Sequence, residues 1–182
     1  PQELTWQVLD SVGVSMYLEV PEKFSEKIGF DFEISEGMSE YFNYNKEYFY
    51  TVSKGVAKKV YGPLEFKAGF KGVVVIPFEN FSYNADYSTF VDSLLYDTDK
   101  IDYFGLYFDG DAYPALGEGS IYVDDFMLYQ NLEEFVTYML KTQGTDEFSI
   151  IEDIQTFRKD QNPEFPRQMA NDATGIEIGK GI

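Results

Sequence analysis

The run from Val73 to Ile76 constrains the fold of this chain more than any other segment, because all of its residues are apolar. Short apolar runs of β-branched residues are typical of buried strands. Pro77 follows the run, and proline interrupts strand pairing because it has no N–H to donate. The sequence therefore predicts a short, fully apolar strand that ends at this proline.

Two earlier segments, Val12–Val20 and Ile28–Ile34, alternate apolar and polar residues, which is typical of half-buried strands. A hairpin is predicted over residues 47–61, with its turn at Ser53–Gly55. Further strands are predicted over residues 64–66, 101–108 and 119–130, and residues 79–99 are predicted to form a loop with a helical turn at 89–95. About eight short strands separated by turn signals predict an all-β, antiparallel β-sandwich.

After Gln130 the apolar residues change to helical spacing, from Leu132 to Leu140, and Gly144 stops the run. A second helix is predicted over residues 149–159. We therefore expect a β-sandwich domain at residues 1–130, followed by a helical extension and linker at residues 131–182.

The composition excludes several classes of function. The net charge is −18 and the sequence pI is about 4.2, so the clustered lysines and arginines that bind nucleic acid are not expected. The sequence also lacks an apolar run long enough to cross a membrane, so no membrane insertion is expected. Because histidine and cysteine are both absent, disulfides, thiol catalysis, histidine bases and the usual zinc sites are excluded.

Four segments in a fixed order carry a resemblance to a known family: the strand that ends at Val20-Pro21, then Tyr50–Gly55, Gly69–Phe78 and Gly119–Phe126. Together they are similar to galactose-binding-like jelly rolls, which serve as carbohydrate-binding modules beside secreted bacterial glycoside hydrolases. The resemblance covers roughly residues 12–130. It implies a jelly-roll sandwich without catalytic activity, within a larger extracellular bacterial protein.

In such folds aromatic rings cover the apolar face of a sugar, and carboxylates accept hydrogen bonds from its hydroxyls. The predicted strands place suitable side chains on the face opposite the core, and a jelly roll would bring them to one concave sheet. These candidates are Tyr17, Glu19, Asp31, Glu33, Tyr103 and Tyr107. Exposed tyrosines and acids are also ordinary on the solvated face of a sheet, so both interpretations stay open.

The resemblance also implies a structural calcium ion, held by an aspartate of the closing strand. Asp124 takes that position and Asp125 lies beside it, although the N-terminal acidic motif of the family is not recognisable in this sequence. Alternation along a strand would point the two carboxylates to opposite faces, and an inward carboxylate would need hydrogen bonds or a cation. The alternative is a pair of ordinary acids capped by backbone N–H groups.

The leading hypothesis is therefore a module that binds polysaccharide or glycan and keeps a neighbouring enzyme near its substrate. The alternative is a structural spacer that braces adjacent domains without a ligand of its own. A small glycosidase or lyase comes third, because it would need two converging carboxylates in a deep cleft. We expect a secreted or cell-surface monomer that contacts neighbouring domains of its parent protein.

Overall fold

The chain has 182 residues, and a computed structural model describes residues 6–7, 11–24, 27–36, 40–84, 86, 88, 100–101, 103–108, 120–145 and 147–153. In chain order the strands are β1 (Trp6–Gln7), β2 (Gly13–Glu19), β3 (Ile28–Glu36), β4 (Glu40–Tyr44), β5 (Tyr48–Ser53), β6 (Val56–Tyr61), β7 (Leu64–Phe66), β8 (Lys71–Pro77), β9 (Phe81–Tyr83), β10 (Lys100–Ile101), β11 (Tyr103–Phe108), β12 (Tyr122–Tyr129) and β13 (Ile150–Asp153). Helix α1 (Leu132–Thr142) lies between β12 and β13, and a 3₁₀ turn spans Phe78–Asn80.

Two sheets organise most of these strands. Among the described residues, the back sheet has six strands in the order β12-β2-β8-β5-β6-β13. The front sheet has five described strands, in the order β11-β3-β4-β9 with β7 also paired to β3. Neighbouring strands are antiparallel, except that β13 runs parallel to β6. The prediction of a mainly β fold built from antiparallel sheets is confirmed.

An apolar core lies between the two sheets. Alternate residues of β2 and β3 point into it, including Met16 and Phe32, which are fully buried. Aromatic rings connect the sheets across this core, since Phe104 of the front sheet stacks on Phe126 of the back sheet with ring centroids 5.8 Å apart. Burial of each large apolar side chain contributes about 1.5–3 kcal/mol, so this layer dominates the stability of the sandwich-like arrangement.

A second apolar layer lies on the outer face of the back sheet, beneath α1. Val136 and Leu140 of the helix are buried there against Val52 and Val75 of the sheet. Val74, the neighbour of Val75, points instead into the core between the sheets. Strand β8 is therefore covered on both faces, which is why its sequence is apolar at successive positions instead of alternating.

The predicted hairpin over residues 47–61 is formed by β5 and β6. Its tip consists of Lys54 and Gly55, whose φ angles are 53° and 73°. Positive φ at both central residues is the geometry of a type I′ turn, which matches the twist of the strands that it joins.

The second helix predicted over residues 149–159 is wrong at Ile150–Asp153, which form β13. Ile150, Ile154 and Phe157 are spaced like one face of a helix, but the open edge of β6 offers backbone partners that this pattern does not encode. Residues 154–159 of the segment lie outside the described residues, as does the helical turn predicted at 89–95. Strands β4 and β9, which extend the front sheet, were not predicted.

Candidate functional site

The structure divides the predicted sugar-binding residues between two surfaces. The outer face of the front sheet carries Asp31 and Glu33 on β3, with Tyr103 and Tyr107 on β11. The outer face of the back sheet carries Tyr17 and Glu19 on β2. Because the sheets pack face to face, these outer faces point away from each other, so the expectation of one common surface is wrong.

Five side chains form a hydrogen-bonded row across the outer face of the front sheet, which we call the tyrosine row: Tyr103, Tyr107, Glu33, Asn43 and Asn84. The hydroxyl of Tyr107 donates to Oε1 of Glu33 at 2.9 Å and lies 2.9 Å from the hydroxyl oxygen of Tyr103. Nδ2 of Asn43 donates to Oε2 of Glu33 at 3.3 Å. Nδ2 of Asn84 donates to Oδ1 of Asn43 at 2.5 Å. Since the proton of Tyr107 is committed to the carboxylate, Tyr103 is the donor between the two tyrosines.

Strand register places these side chains in line. Gly105 of β11 lies opposite Glu33, which lies opposite Asn43 of β4. A Cβ atom on Gly105 would lie 2.8 Å from the hydroxyl oxygen of Tyr103 and 2.8 Å from a ring carbon of Tyr107. Both rings therefore lean over the glycine, and its missing side chain is what lets their hydroxyls meet.

Exposure differs sharply along the tyrosine row. Tyr107 is 47% exposed and Tyr103 is 39% exposed, whereas Glu33 is only 7% exposed. Hydrogen bonds to both oxygens of Glu33 offset the cost of burying a carboxylate. The hydrogen bond with Tyr103, burial and the hydrogen bond to Glu33 raise the pKa of Tyr107, so this hydroxyl stays protonated at neutral pH. The row thus presents two aromatic rings beside fixed polar groups, which suits a hydroxylated ligand.

Asp31 lies on the same sheet face as the row, but it makes an ion pair with Lys46 instead of joining the row. The Nζ atom of Lys46 lies 3.2 Å from Oδ1 of Asp31, and both side chains are more than half exposed. Exposed ion pairs of this kind contribute about 0.2–1 kcal/mol. Asp31 is therefore available at the rim of the site without being fixed by its surroundings.

A second cluster, which we call the acidic corner, lies on the outer face of the back sheet where β2 pairs with β12. It forms an open depression lined by Tyr17, Glu19, Tyr122, Asp124 and Asp125. The rings of Tyr17 and Tyr122 meet edge to face with centroids 6.3 Å apart. The corner thus unites two of the predicted sugar-binding residues with both predicted metal ligands.

Tyrosine hydroxyls set the electrostatics of the acidic corner. Tyr17 donates to Glu19 at 2.6 Å, and Tyr122 donates to Asp124 at 2.5 Å. The bond from Tyr17, followed by that from Lys71, lowers the pKa of Glu19. The bond from Tyr122, followed by that from a backbone N–H, lowers the pKa of Asp124. The same contact with Glu19 is the largest cause that raises the pKa of Tyr17 to about 12.

The prediction that Asp124 and Asp125 point to opposite faces, with one directed inward, is wrong. Both side chains are exposed, because β12 contains a bulge between Asp124 and Met127 in its pairing with β2. Asp125 adopts a left-handed φ of 52° there and donates its backbone N–H to Oδ1 of Asp124 at 2.8 Å. A bulge inserts one extra residue, so simple alternation fails at that point.

Within the described residues, no group of three acids is arranged to hold a metal ion. Asp124, Asp125 and Glu19 line one depression, but the carboxylates of Asp124 and Glu19 are bound by tyrosine hydroxyls and, for Glu19, by Lys71. Calcium binding at Asp124 and Asp125 therefore stays a prediction.

Sequence reasoning missed four residues that complete these clusters: Asn43, Asn84, Gly105 and Tyr122. For Asn43 the available signal was the short alternating segment in which it follows Phe42. The structure agrees with that alternation, because the phenylalanine is fully buried and the asparagine points outward. Gly105 between two tyrosines was a second signal, because a glycine inside a strand often marks a close approach of other groups. Tyr122 lies two residues before Asp124 in the same strand, so alternation was a signal that places both side chains on one face. Asn84 joins through a contact 41 residues apart in sequence, which leaves no local signal.

The chain matches no known protein family, no curated protein and no solved structure with which it was compared. The resemblance to galactose-binding-like modules therefore stays a prediction that depends on the motifs themselves. Among the helices of the described residues, none combines the length and apolar character needed to cross a membrane.

Proposed function

We propose that this chain is a non-catalytic carbohydrate-binding module of a larger extracellular bacterial protein, and that it binds glycan through the tyrosine row. The observation that carries the proposal is the linked set of Tyr103, Tyr107 and Glu33, with two half-exposed rings beside a fixed carboxylate. The mainly β fold, with two antiparallel sheets around one core, is consistent with a galactose-binding-like jelly roll.

The chemistry of the row fits neutral sugars. Aromatic rings pack against the apolar C–H face of a pyranose, while Glu33 and Asn43 fix polar positions beside them. The amide of Asn84 holds Asn43 in place, so few rotamers need ordering on binding. An open surface of this kind binds weakly, and its benefit is a raised effective concentration of a neighbouring enzyme at its substrate.

The proposal includes a secreted or cell-surface location, a monomeric state and contacts to neighbouring domains. A structural calcium ion at Asp124 and Asp125 also belongs to it. A ligand that binds only the folded state raises the melting temperature, so calcium titration followed by thermal unfolding measures this part separately. No rise in melting temperature at millimolar calcium would remove the ion from the proposal.

The test is a glycan array followed by affinity gels that contain the best polysaccharide. Tyr103→Ala and Tyr107→Ala should each weaken binding roughly three- to tenfold, since an aromatic contact contributes about 0.5–1.5 kcal/mol. Tyr107→Phe keeps the ring but removes the bond to Glu33, and we expect a smaller loss. Tyr138→Ala is the matched control, because Tyr138 is 61% exposed on α1, at the outer face of the other sheet.

Three results would overturn the proposal or part of it. Absence of binding to any glycan removes the function. Binding that survives both alanine substitutions removes the tyrosine row as the site. Equal losses in Tyr138→Ala point to a general effect on the fold, which circular dichroism of each variant detects.

A structural spacer is the alternative, and one observation favours it. Helix α1 docks on the outer face of the back sheet, where Val136 and Leu140 are buried. A face covered in this way cannot bind a polysaccharide along its length. If the array yields no ligand while the isolated chain folds cooperatively, bracing of adjacent domains becomes the better account.

A further inference from the structure

The hydrogen bonds of the tyrosine row run in fixed directions, because groups that cannot change role set them. The backbone N–H of Asp86 only donates, and it donates to Oδ1 of Asn84 at 3.2 Å. The amide nitrogen of Asn84 is therefore the atom that donates to Oδ1 of Asn43 at 2.5 Å. This leaves the amide nitrogen of Asn43 to donate to Glu33 at 3.3 Å. Every hydrogen bond on this side of the row thus points towards the carboxylate.

The carboxylate fixes the directions on its other side as well. Because a carboxylate only accepts, the hydroxyl of Tyr107 donates its single proton to Oε1 of Glu33 at 2.9 Å. Tyr103 must then donate to Tyr107 across the 2.9 Å that separates their hydroxyl oxygens. The protons of both tyrosines are therefore committed within the row.

The tyrosine end of the row is consequently a hydrogen-bond acceptor. Lone pairs remain on the hydroxyl oxygens of Tyr103 and Tyr107, but neither oxygen has a proton left to offer a ligand. Asp31, which lies opposite Tyr107 in the strand register, adds carboxylate acceptors on the same sheet face. The second N–H of Asn43 stays available as a donor, but it lies on the other side of Glu33. A ligand at the tyrosines must therefore supply the protons itself.

The spacing of the two acceptors points to a particular donor group. The hydroxyl oxygens of Tyr103 and Tyr107 lie 2.9 Å apart because both rings lean over Gly105. Adjacent hydroxyl groups of a pyranose hold their oxygens at a similar separation when they are gauche to each other. Such a pair can donate one proton to each tyrosine. A sugar without protons at those positions loses both hydrogen bonds.

The charge around the row favours the same kind of ligand. The chain has a net charge of −18, and the carboxylate of Glu33 lies directly behind the hydroxyl of Tyr107. Nζ of Lys46 is directed to Asp31 at 3.2 Å. An anionic group at the tyrosines would meet lone pairs in front and a carboxylate behind them, so a neutral sugar is preferred.

We infer that the tyrosine row selects its glycan by the direction of its hydrogen bonds, and that it recognises an unsubstituted vicinal diol of a neutral pyranose. Tyr103 and Tyr107 contact the diol, whereas Glu33 is a positioning residue that turns both tyrosine protons inward. The inference rests on the proposed function and names the chemical group that the same site takes.

Two substitutions reverse the direction at the tyrosine end by independent routes. In Glu33→Gln, Asn43 still donates to position 33, so the new amide turns its oxygen to Asn43 and its N–H to Tyr107. Tyr107 then donates to Tyr103, whose own proton turns outward. In Tyr107→Phe, Tyr103 loses the oxygen to which it donates, so its proton is again free for a ligand. The second substitution changes no charge.

The test is NMR titration of the full chain with the methyl glycosides of glucose, galactose, mannose and xylose. Each sugar is compared with derivatives in which one vicinal pair of hydroxyls is O-methylated, which removes the protons and keeps the oxygens. Methylation of the recognised pair should weaken binding about tenfold, and this ratio should fall to about threefold or less in Glu33→Gln and in Tyr107→Phe. Glu133→Gln is the matched control, because it removes the same charge from an exposed position on α1, at the outer face of the other sheet.

The outcomes separate this inference from the proposed function. A ratio that stays near tenfold in both variants means that the methyl groups act by their bulk, and it overturns the inference while glycan binding stands. A ratio that falls in Glu33→Gln and Glu133→Gln but not in Tyr107→Phe assigns the preference to charge and also overturns it. If none of the four sugars binds while a glycan array yields a ligand, the inference fails alone, and an empty array removes both.

The fold of each variant is checked by circular dichroism. If Glu33→Gln does not fold, Tyr107→Phe decides the question alone, since it keeps the carboxylate and the aromatic ring.

Discussion

Replacement of Leu140 by alanine tests whether α1 is an integral layer of the fold or an appendage. Leu140 is 1% exposed and lies in the apolar cluster between the helix and the back sheet. Truncation to alanine removes the side chain from this layer without touching the core between the two sheets. If the sandwich ended at residue 130 as predicted, the substitution would leave the stability of the sandwich unchanged.

The structure sets the expected loss in the free energy of unfolding. Leucine-to-alanine changes in packed cores cost about 2–5 kcal/mol, and the cost is highest where neighbours cannot collapse into the cavity. Collapse is restricted here, because the helix end is tied to the hairpin. The backbone N–H of Gly55 donates to Gln143 at 2.8 Å, and Thr145 donates to the carbonyl of Gly55 at 2.9 Å. We therefore expect a loss of about 3 kcal/mol in the free energy of unfolding.

Urea unfolding followed by far-UV and near-UV circular dichroism measures this loss, with the m-value as the check on two-state behaviour. A loss of about 3 kcal/mol corresponds to a fall in melting temperature of roughly 6–12 °C for a domain of this size. Tyr138→Ala is the control, since Tyr138 is 61% exposed on the same helix and should change stability by less than about 0.5 kcal/mol.

Two results would refute the reasoning. A loss below about 1 kcal/mol would mean that the helix contributes little to the cooperative unit. Unfolding of the helix in a separate, earlier transition, with the midpoint of the sheets unchanged, would restore the boundary at residue 130 as a real division of the chain.

Three further predictions concern a close backbone approach, a helix cap and a titration. Gly72→Ala should destabilise the chain by more than about 2 kcal/mol in urea unfolding, because the new Cβ would lie 2.6 Å from the carbonyl oxygen of Val52. Asn131→Ala should cost about 1 kcal/mol in the same assay, because its side chain accepts a hydrogen bond from the first turn of α1 at 3.0 Å. Glu19→Gln should return the pKa of Tyr17 from about 12 toward 10, measured by NMR titration of the ring. Because the folded-state pKa of Tyr17 is raised, its contribution to stability is complete below pH 10 and is lost as pH rises toward 12.

Side-chain alternation predicted the local part of the fold well. It assigned Met16 to the core and Tyr17 to the outer face, as the structure has them. It could not assign a strand to a sheet, because β2 pairs with β8 and β12, which lie far along the chain. Strands β2 and β3 share the same alternating pattern but lie in different sheets. The predicted sugar-binding residues are therefore divided between two surfaces.

The remaining failures have local physical causes. The bulge at Asp125 adds a residue to β12 and reverses the expected alternation. At Ile150, edge pairing with β6 overrides a helical spacing of apolar residues. Both the bulge and the edge pairing depend on the backbone groups of a partner strand, and no single segment of sequence contains that information.

The two outer faces differ in a way that bears on function. On the back sheet, α1 covers the part of the outer face that carries Val75, whereas the acidic corner on the same face stays open. On the front sheet, hydrogen bonds from Tyr107 and Asn43 offset the free-energy cost of burying the carboxylate of Glu33. A polar network that is stable without further partners can hold its side chains in one arrangement before any ligand arrives, and such preorganisation lowers the entropic cost of binding. Substitution of Asn43 by alanine should therefore weaken glycan binding, although it removes no aromatic contact. Unchanged glycan affinity in that variant would argue against the tyrosine row as a preorganised site.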